Sequence, residues 1–271
     1  MTKRLETRAL GSTGLMATPL GLAGSWGIGP DDVERAFHEL GVNYFFVTNR
    51  MDGLIAGIRR LVAAGHRDQM VIAAGASIPT GGRVVAEFNK VARTLGVEYI
   101  DVFHLFWVQA HWYVTGKTWP AMRSLKSSGH ARALAISCHD RPMARQLCNE
   151  LELDVLMCRY NAAHRGAERE IFADLPKERP AIVAYTATRW GKLLQPIDGL
   201  GPITPPECYR FVLSHPRVGV VLCGARDFAE LASDVEAVNQ GPLETERLTE
   251  LRTFGDRVRA TATGRLGFWG T

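Results

Sequence analysis

No run of eighteen apolar residues occurs anywhere in the 271-residue chain, so no segment is long enough to cross a bilayer as a helix. The opening residues, Met1-Thr2-Lys3-Arg4-Leu5-Glu6-Thr7-Arg8, lack the apolar stretch a secretory signal needs. The cysteines are few and odd in number, five, and none forms a Cys-x-x-Cys pair. Cys138, Cys148, Cys158, Cys208 and Cys223 fall mostly in apolar stretches, where a free thiol behaves as a small hydrophobe. That excludes a disulfide scaffold and a structural zinc site, and it implies a reducing compartment. His104 and His111 have no further ligands at sensible spacing, so no metal is expected. Dense basic blocks are missing too. The 32 Lys and Arg are spread against 28 Asp and Glu for a net charge of +4, which argues against a nucleic-acid partner. The expectation is a soluble cytoplasmic protein with neither a membrane nor a nucleic acid as partner. A Gly-x-Gly-x-x-Gly turn is also lacking. Gly21, Gly24, Gly27 and Gly29 have the wrong spacing for a dinucleotide-binding doubly wound sheet.

A hydrophobic fraction of 46% with 22% charged residues supplies a sizeable core. Short runs rich in Val, Ile, Leu and Ala recur at 19–25, 43–48, 70–77, 99–108, 131–138, 155–161, 180–187 and 218–225. Their nearly continuous apolar character predicts parallel strands covered on both faces. Helical periodicity fills the gaps, with Pro30 opening one segment and Gly41, Gly96 and Gly129 closing three. Eight strands, each followed by a helix, predict an α/β fold: a single (β/α)8 TIM barrel domain over 1–271. Arg8 to Leu15 reads as an N-terminal β-hairpin turning at Ser12-Thr13-Gly14, and 245–262 as an extra amphipathic C-terminal helix. The tail from Gly264 to Thr271 reads as a surface-packing segment.

Several segments carry a resemblance. Arg8-Ala9-Leu10-Gly11-Ser12-Thr13-Gly14-Leu15 with Pro19-Leu20-Gly21-Leu22, then Gly41-Val42-Asn43-Tyr44-Phe45, Tyr99-Ile100-Asp101-Val102, Ala184-Tyr185-Thr186 and Phe211-Val212-Leu213-Ser214-His215-Pro216 follow in order from about residue 7 to 240. Together they resemble the aldo/keto reductase superfamily. The resemblance implies a (β/α)8 barrel, a nicotinamide cofactor across the strand C-termini, and reduction of aldehydes or ketones. It also implies a tetrad in which a Tyr donates a proton, assisted by a Lys–Asp pair and a His.

Carried over position by position, the tetrad is missing. The family's Asn-Phe-Phe-Asp-Thr-Ala-x-x-Tyr-Gly aligns with Asn43 to Asp52, which puts Phe46 at the Asp position and Met51 at the Tyr position. Gly75 stands for the Lys and Phe106 for the His. Stranding one charge of a buried pair costs about 3–5 kcal/mol, whereas replacing both with apolar groups is tolerable. The pattern reads as a reorganised site. Of the family's cofactor contacts, Tyr185, Thr186, Ser137 and Arg226 remain, but Cys138 replaces an Asn and Met157 a Gln. Asp227, Glu230 and Asp234 place carboxylates where a 2′-phosphate would be repelled, so NADP(H) is expected to bind weakly or not at all.

Active sites of such barrels are built from the loops after the strands. Those loops hold Asn49 and Arg50; His139, Asp140 and Arg141; Arg159, Asn161, His164, Arg165 and Glu168; then Thr186, Thr188, Arg189 and Trp190. Arginine forks suit two-point capture of a carboxylate or phosphate, and imidazole titrates near neutrality. His139, His164, Arg159, Arg50 and Asn161 are therefore the candidate catalytic set, with Arg189, Arg141, Arg165 and Trp190 as substrate contacts. Cys138 beside His139 is a minor nucleophile candidate, and His104 a core histidine. Three readings follow: a non-redox enzyme (elimination, isomerisation or hydration) on an anionic small molecule; a non-catalytic ligand-binding or regulatory protein; and a divergent NADP(H)-dependent oxidoreductase with another proton donor. If the first holds, Arg50, His139, Arg159, His164 and Arg189 should share one pocket.

Overall fold

The computed structural model describes residues 2–48, 50–176, 179–197 and 199–261; Asn49 and the tail from Gly264 lie outside them. The chain opens with a two-stranded antiparallel hairpin, β1 (Arg8–Ala9) and β2 (Met16–Ala17). Its turn is held by the Thr13 backbone donating to the Leu10 carbonyl at 3.2 Å. Eight parallel strands follow: β3 (Leu20–Ala23), β4 (Tyr44–Phe46), β5 (Val71–Ala76), β6 (Ile100–Val108), β7 (Ala131–Cys138), β8 (Val155–Arg159), β9 (Ala181–Tyr185) and β10 (Val218–Cys223). Each pairs with its neighbour in sequence, and β10 pairs with both β9 and β3, which closes the cylinder. Closure removes every sheet edge, so strands that are apolar on both faces can be buried inside a ring of helices.

The helices are α1 (Pro30–Leu40), α2 (Asp52–Ala63), α3 (Gly81–Leu95), α4 (Thr118–Ser127), α5 (Arg141–Glu150), α6 (Pro205–Leu213), α7 (Phe228–Val238) and α8 (Thr245–Ala260). Gly41 and Gly96 close α1 and α3 at φ +77° and +73°, a left-handed conformation that costs a residue with a Cβ but not glycine. The strict alternation expected from the sequence breaks once. After β8 the chain makes only a π-helical turn, Glu168–Phe172, and after β9 a 3-10 turn, Lys192–Leu194, precedes α6. The long loops after these two strands are irregular because their polar side chains satisfy the backbone locally, as the Asn161 carboxamide does for Ala163 and His164.

The strand N-termini are pinned by buried acids. Asp101 accepts from the Ile72 backbone at 2.8 Å and pairs with Arg67 at 2.8 Å and Arg132 at 3.3 Å. The same two guanidiniums lie 3.8 and 4.1 Å from the centroid of the Tyr99 ring. Asp154 accepts from the Leu134 backbone at 2.8 Å and from Lys126 at 2.5 Å. Paired charges at this end of such a barrel serve stability, which leaves chemistry to the other end.

Candidate functional site

At the opposite end, the last residues of β8 and β9 lie side by side, Arg159 in register with Tyr185. Arg159 is 6% exposed, and Arg189, from the loop after β9, is 4% exposed. His164, from the loop after β8, is 4% exposed, and its buried Nε2 has no hydrogen-bond partner among the described residues. Its Nδ1 lies 3.3 Å from the Asn161 side-chain oxygen. Burial, followed by the charges of Arg159, Arg189, Arg259 and Arg141, lowers the His164 pKa to about 3, so the ring is neutral. Burial and the same neighbouring guanidiniums pull the Arg159 pKa down as well. Arg141, Arg159, Arg189 and Arg259 thus lie within electrostatic range of one another.

His139 and Tyr185 form a second group beside the first. The Tyr185 hydroxyl lies 3.0 Å from both ring nitrogens of His139. Burial and the Arg159 charge lower the His139 pKa, while burial raises that of Tyr185. His139 is half-buried and is acted on by Arg159 alone among the guanidiniums, where His164 faces four.

The loop after β9 is built under strain. Thr186, Arg189 and Trp190 have φ of +57°, +51° and +51°, although none is glycine. Each costs on the order of 1–3 kcal/mol, and such residues cluster at functional sites. Two bonds hold the loop in place: the Asn161 amide donates to the Thr186 carbonyl at 2.8 Å, and Arg189 donates to the Val258 carbonyl at 2.6 Å. Asn161 thus clamps the two loops together. Trp190 is half exposed on the rim.

The remaining candidates separate. Arg141 belongs to the electrostatic neighbourhood of Arg159 and His164 but is paired with Glu170 at 2.9 Å. Arg165 is drawn outward to Asp256 at 2.8 Å and to the Ala162 and Arg252 carbonyls, so it serves to dock α8. Arg50 does not join the cluster at all. It is exposed on a groove on the β4–β6 side of the barrel. Arg159 acts electrostatically on both His139 and His164, and Arg189 on His164, whereas Arg50 lies apart from them, because β4 and β8 stand far apart around the ring. Burial pushes the Cys138 thiol up to about 12, which disfavours the thiolate that a nucleophile needs. All five cysteines are free and buried.

Arg259, near the end of α8, is the contributor that sequence reasoning missed. Gly255 lets α8 approach the loop after β8: a Cβ there would collide with the Ala162 carbonyl and come within 2.7 Å of the Ala163 nitrogen. A glycine inside an amphipathic helix was the available signal, since it often marks a close approach.

On the β4–β6 side of the mouth, Phe46 and Phe106 meet edge to face with centroids 5.6 Å apart, and His104 stacks on Phe106 at 5.3 Å. Burial lowers the His104 pKa to about 4. A Cβ at Gly75 would collide with the His104 carbonyl and lie 2.7 Å from its Cβ, so no lysine fits. Met51 is buried against Gly24 at the start of α2.

A family model described as the aldo/keto reductase family matches residues 57–207. The chain belongs to the aldo/keto reductase family. Among solved structures, an aldo-keto reductase from Bacillus halodurans is similar to it. The holo form aligns at TM-score 0.76 with 18% identity, and the apo form at 0.75 with 20%. Both alignments cover 93% of this chain and 96% of the other. A putative aldo-keto reductase from Pseudomonas aeruginosa aligns at 0.70 with 20% identity, covering 88% and 96%. No curated protein matches the chain by sequence.

For this aldo/keto reductase, the residues toward the adenosine end do not suit NADP(H). Arg226 is held by Glu230, whose carboxylate also accepts from the Arg226 backbone at 2.9 Å. Asp227 caps α7 by accepting from the Glu230 backbone at 2.9 Å. A 2′-phosphate would meet two carboxylates and an arginine already neutralised. The Trp26 indole lies against Gly224, and the Ser137 hydroxyl accepts from the Trp107 backbone at 2.8 Å. Among the described residues no group of three or more His, Cys, Asp or Glu could hold a metal ion, and no helix is long and apolar enough to cross a membrane.

Proposed function

We propose that this protein is a non-redox enzyme that binds an anionic small molecule at the mouth of the barrel and moves a proton on it. The observation that carries the reading is the burial of Arg159 and Arg189 beside His164, within reach of the Arg259 and Arg141 charges. Guanidiniums so placed repel one another, and a carboxylate or phosphate relieves that repulsion through two-point hydrogen bonds. Arg159 and Arg189 hold the anion in this scheme, Arg141 and Arg259 strengthen the field, and Trp190 covers the rim. His139 takes or gives the proton, and the Tyr185 hydroxyl fixes the ring and offers a second proton path. The chemistry that fits is elimination, isomerisation or hydration, in which a proton leaves one atom and returns to another with no net oxidation.

Three features support a non-redox reaction over hydride transfer: the apolar Phe46–Phe106 contact, the lack of room at Gly75, and the self-paired Arg226. The deciding experiment is calorimetry of the purified protein against di- and monocarboxylates, phosphate esters and NADPH, with assay of any binder for conversion. The expected result is an organic anion that binds, is lost in Arg159→Ala and Arg189→Ala, and is turned over only while His139 is present. NADPH binding at or below roughly 1 µM, about 8 kcal/mol, with aldehyde reduction would overturn the reading in favour of a divergent oxidoreductase. Tight anion binding with no conversion would point to a ligand-binding protein instead.

A further inference from the structure

The groove that holds Arg50 is separate from the arginine cluster. It has a volume of about 830 Å³, within the usual range for small-molecule sites. It starts at the barrel mouth, between Val47, Gly75 and Phe106, and runs outward and down between α2 and α3. Helix α2 contributes Asp52, Ile55, Ala56 and Arg59, spaced by three and four residues along one face. Helix α3 contributes Glu87, Lys90, Val91, Thr94 and Leu95 in the same manner. From Asp52 to Arg59 the helical rise is roughly 10 Å, about the length of an eight-carbon chain.

An arginine stands toward each end of this groove, with apolar side chains between them and with Asp52, Glu87 and Lys90 also on its walls. Arg50 stands at the mouth. Arg59 closes the lower part by reaching across to donate to the Thr94 carbonyl of α3 at 3.1 Å. Neither arginine has a carboxylate partner among the described residues, whereas Lys90 lies 3.9 Å from Glu87. Ile55, Val91, Leu95 and Phe106 supply the wall between, and the exposed Trp107 indole stands at the upper rim.

We infer that this groove is a second ligand site, built for an elongated organic acid with an apolar body and one anionic end. The apolar wall holds the body, and Arg59 or Arg50 meets the head group. The site lies on the β4–β6 side, away from Arg159 at the end of β8, so a ligand can occupy it while the arginine cluster is engaged.

The test uses the full-length protein and two probes of matched length, decanoate and decanol, with Trp107 fluorescence and competition against 8-anilinonaphthalene-1-sulfonate. Decanoate is expected to bind at least ten times more tightly than decanol. Ala56→Trp, which fills the groove, is expected to weaken decanoate at least tenfold. Charge reversal separates the ends: either Arg59→Glu or Arg50→Glu should remove the preference for decanoate over decanol. Both arginines are exposed, so these variants keep the fold and serve if Ala56→Trp does not. In an Arg159→Ala background, which disables the anion site at β8 and β9, the loss of decanoate affinity caused by Ala56→Trp should persist, which assigns that binding to the groove. Equal binding of decanoate and decanol would overturn the inference. So would decanoate binding that survives filling and both reversals.

Discussion

Two buried neutral histidines should make stability fall with acidity, and the effect can be worked out residue by residue. In the fold, His164 has its pKa lowered to about 3 and His104 to about 4, against an ordinary value of 6.5. A histidine with a lowered native pKa takes up its proton more readily when unfolded. Its contribution is therefore intact above pH 6.5 and is lost as pH falls toward the native value. Between pH 8 and pH 5 the loss from His164 amounts to roughly 2 kcal/mol, and His104 adds a similar amount. Against a total stability of about 5–15 kcal/mol, that is a measurable fraction. Asp234 acts in the opposite sense, since burial raises its carboxyl to about 7, and its destabilising effect fades on acidification. The net slope of the parent protein therefore mixes opposing terms. The clean readout is the difference between the parent and His164→Asn, in which every other group cancels. Urea unfolding at pH 8 and pH 5 should show the variant gaining roughly 2 kcal/mol on the parent at the lower pH. Parallel pH dependences for the two proteins would refute the placement of a neutral His164 among the guanidiniums.

The other predictions follow from the same geometry. Arg159→Ala should abolish calorimetric binding of the organic anion, and intact binding in that variant would contradict the assignment. Gly255→Leu should force α8 away from Ala162 at a cost of roughly 1–3 kcal/mol and weaken the anion by displacing Arg259, both readable in one thermal-shift titration. Gly75→Lys should destabilise the fold and confer no aldehyde reduction with NADPH, as its Cβ collides with His104. Asp101→Asn should cost about 3–5 kcal/mol by stranding Arg67 and Arg132, yet leave ligand affinity untouched, since the pair sits at the other end of the barrel.

Much of this protein was determined locally and is legible in its sequence. Eight runs such as Val71-Ile72-Ala73-Ala74 are nearly continuous in apolar character, as strands with both faces covered are. Gly41 and Gly96 end helices because a left-handed residue without a Cβ is needed there. The loops after β8 and β9 could be singled out because His, Arg and Asn crowd into them. What the sequence could not decide was which of these side chains meet. Arg50 and Arg159 both follow strands, but the closed ring puts them on different sides, and the direction of a loop side chain has no period to read. Arg165 looked like a site residue until Asp256, ninety-one positions later, drew it outward. Arg259 carries no mark in the sequence, and only the close approach of Gly255 to Ala162 brings its helix to the loop after β8. Strand and helix periods come from backbone geometry repeated every few residues, whereas the convergence of charges depends on contacts between distant segments, which only the closed barrel brings together.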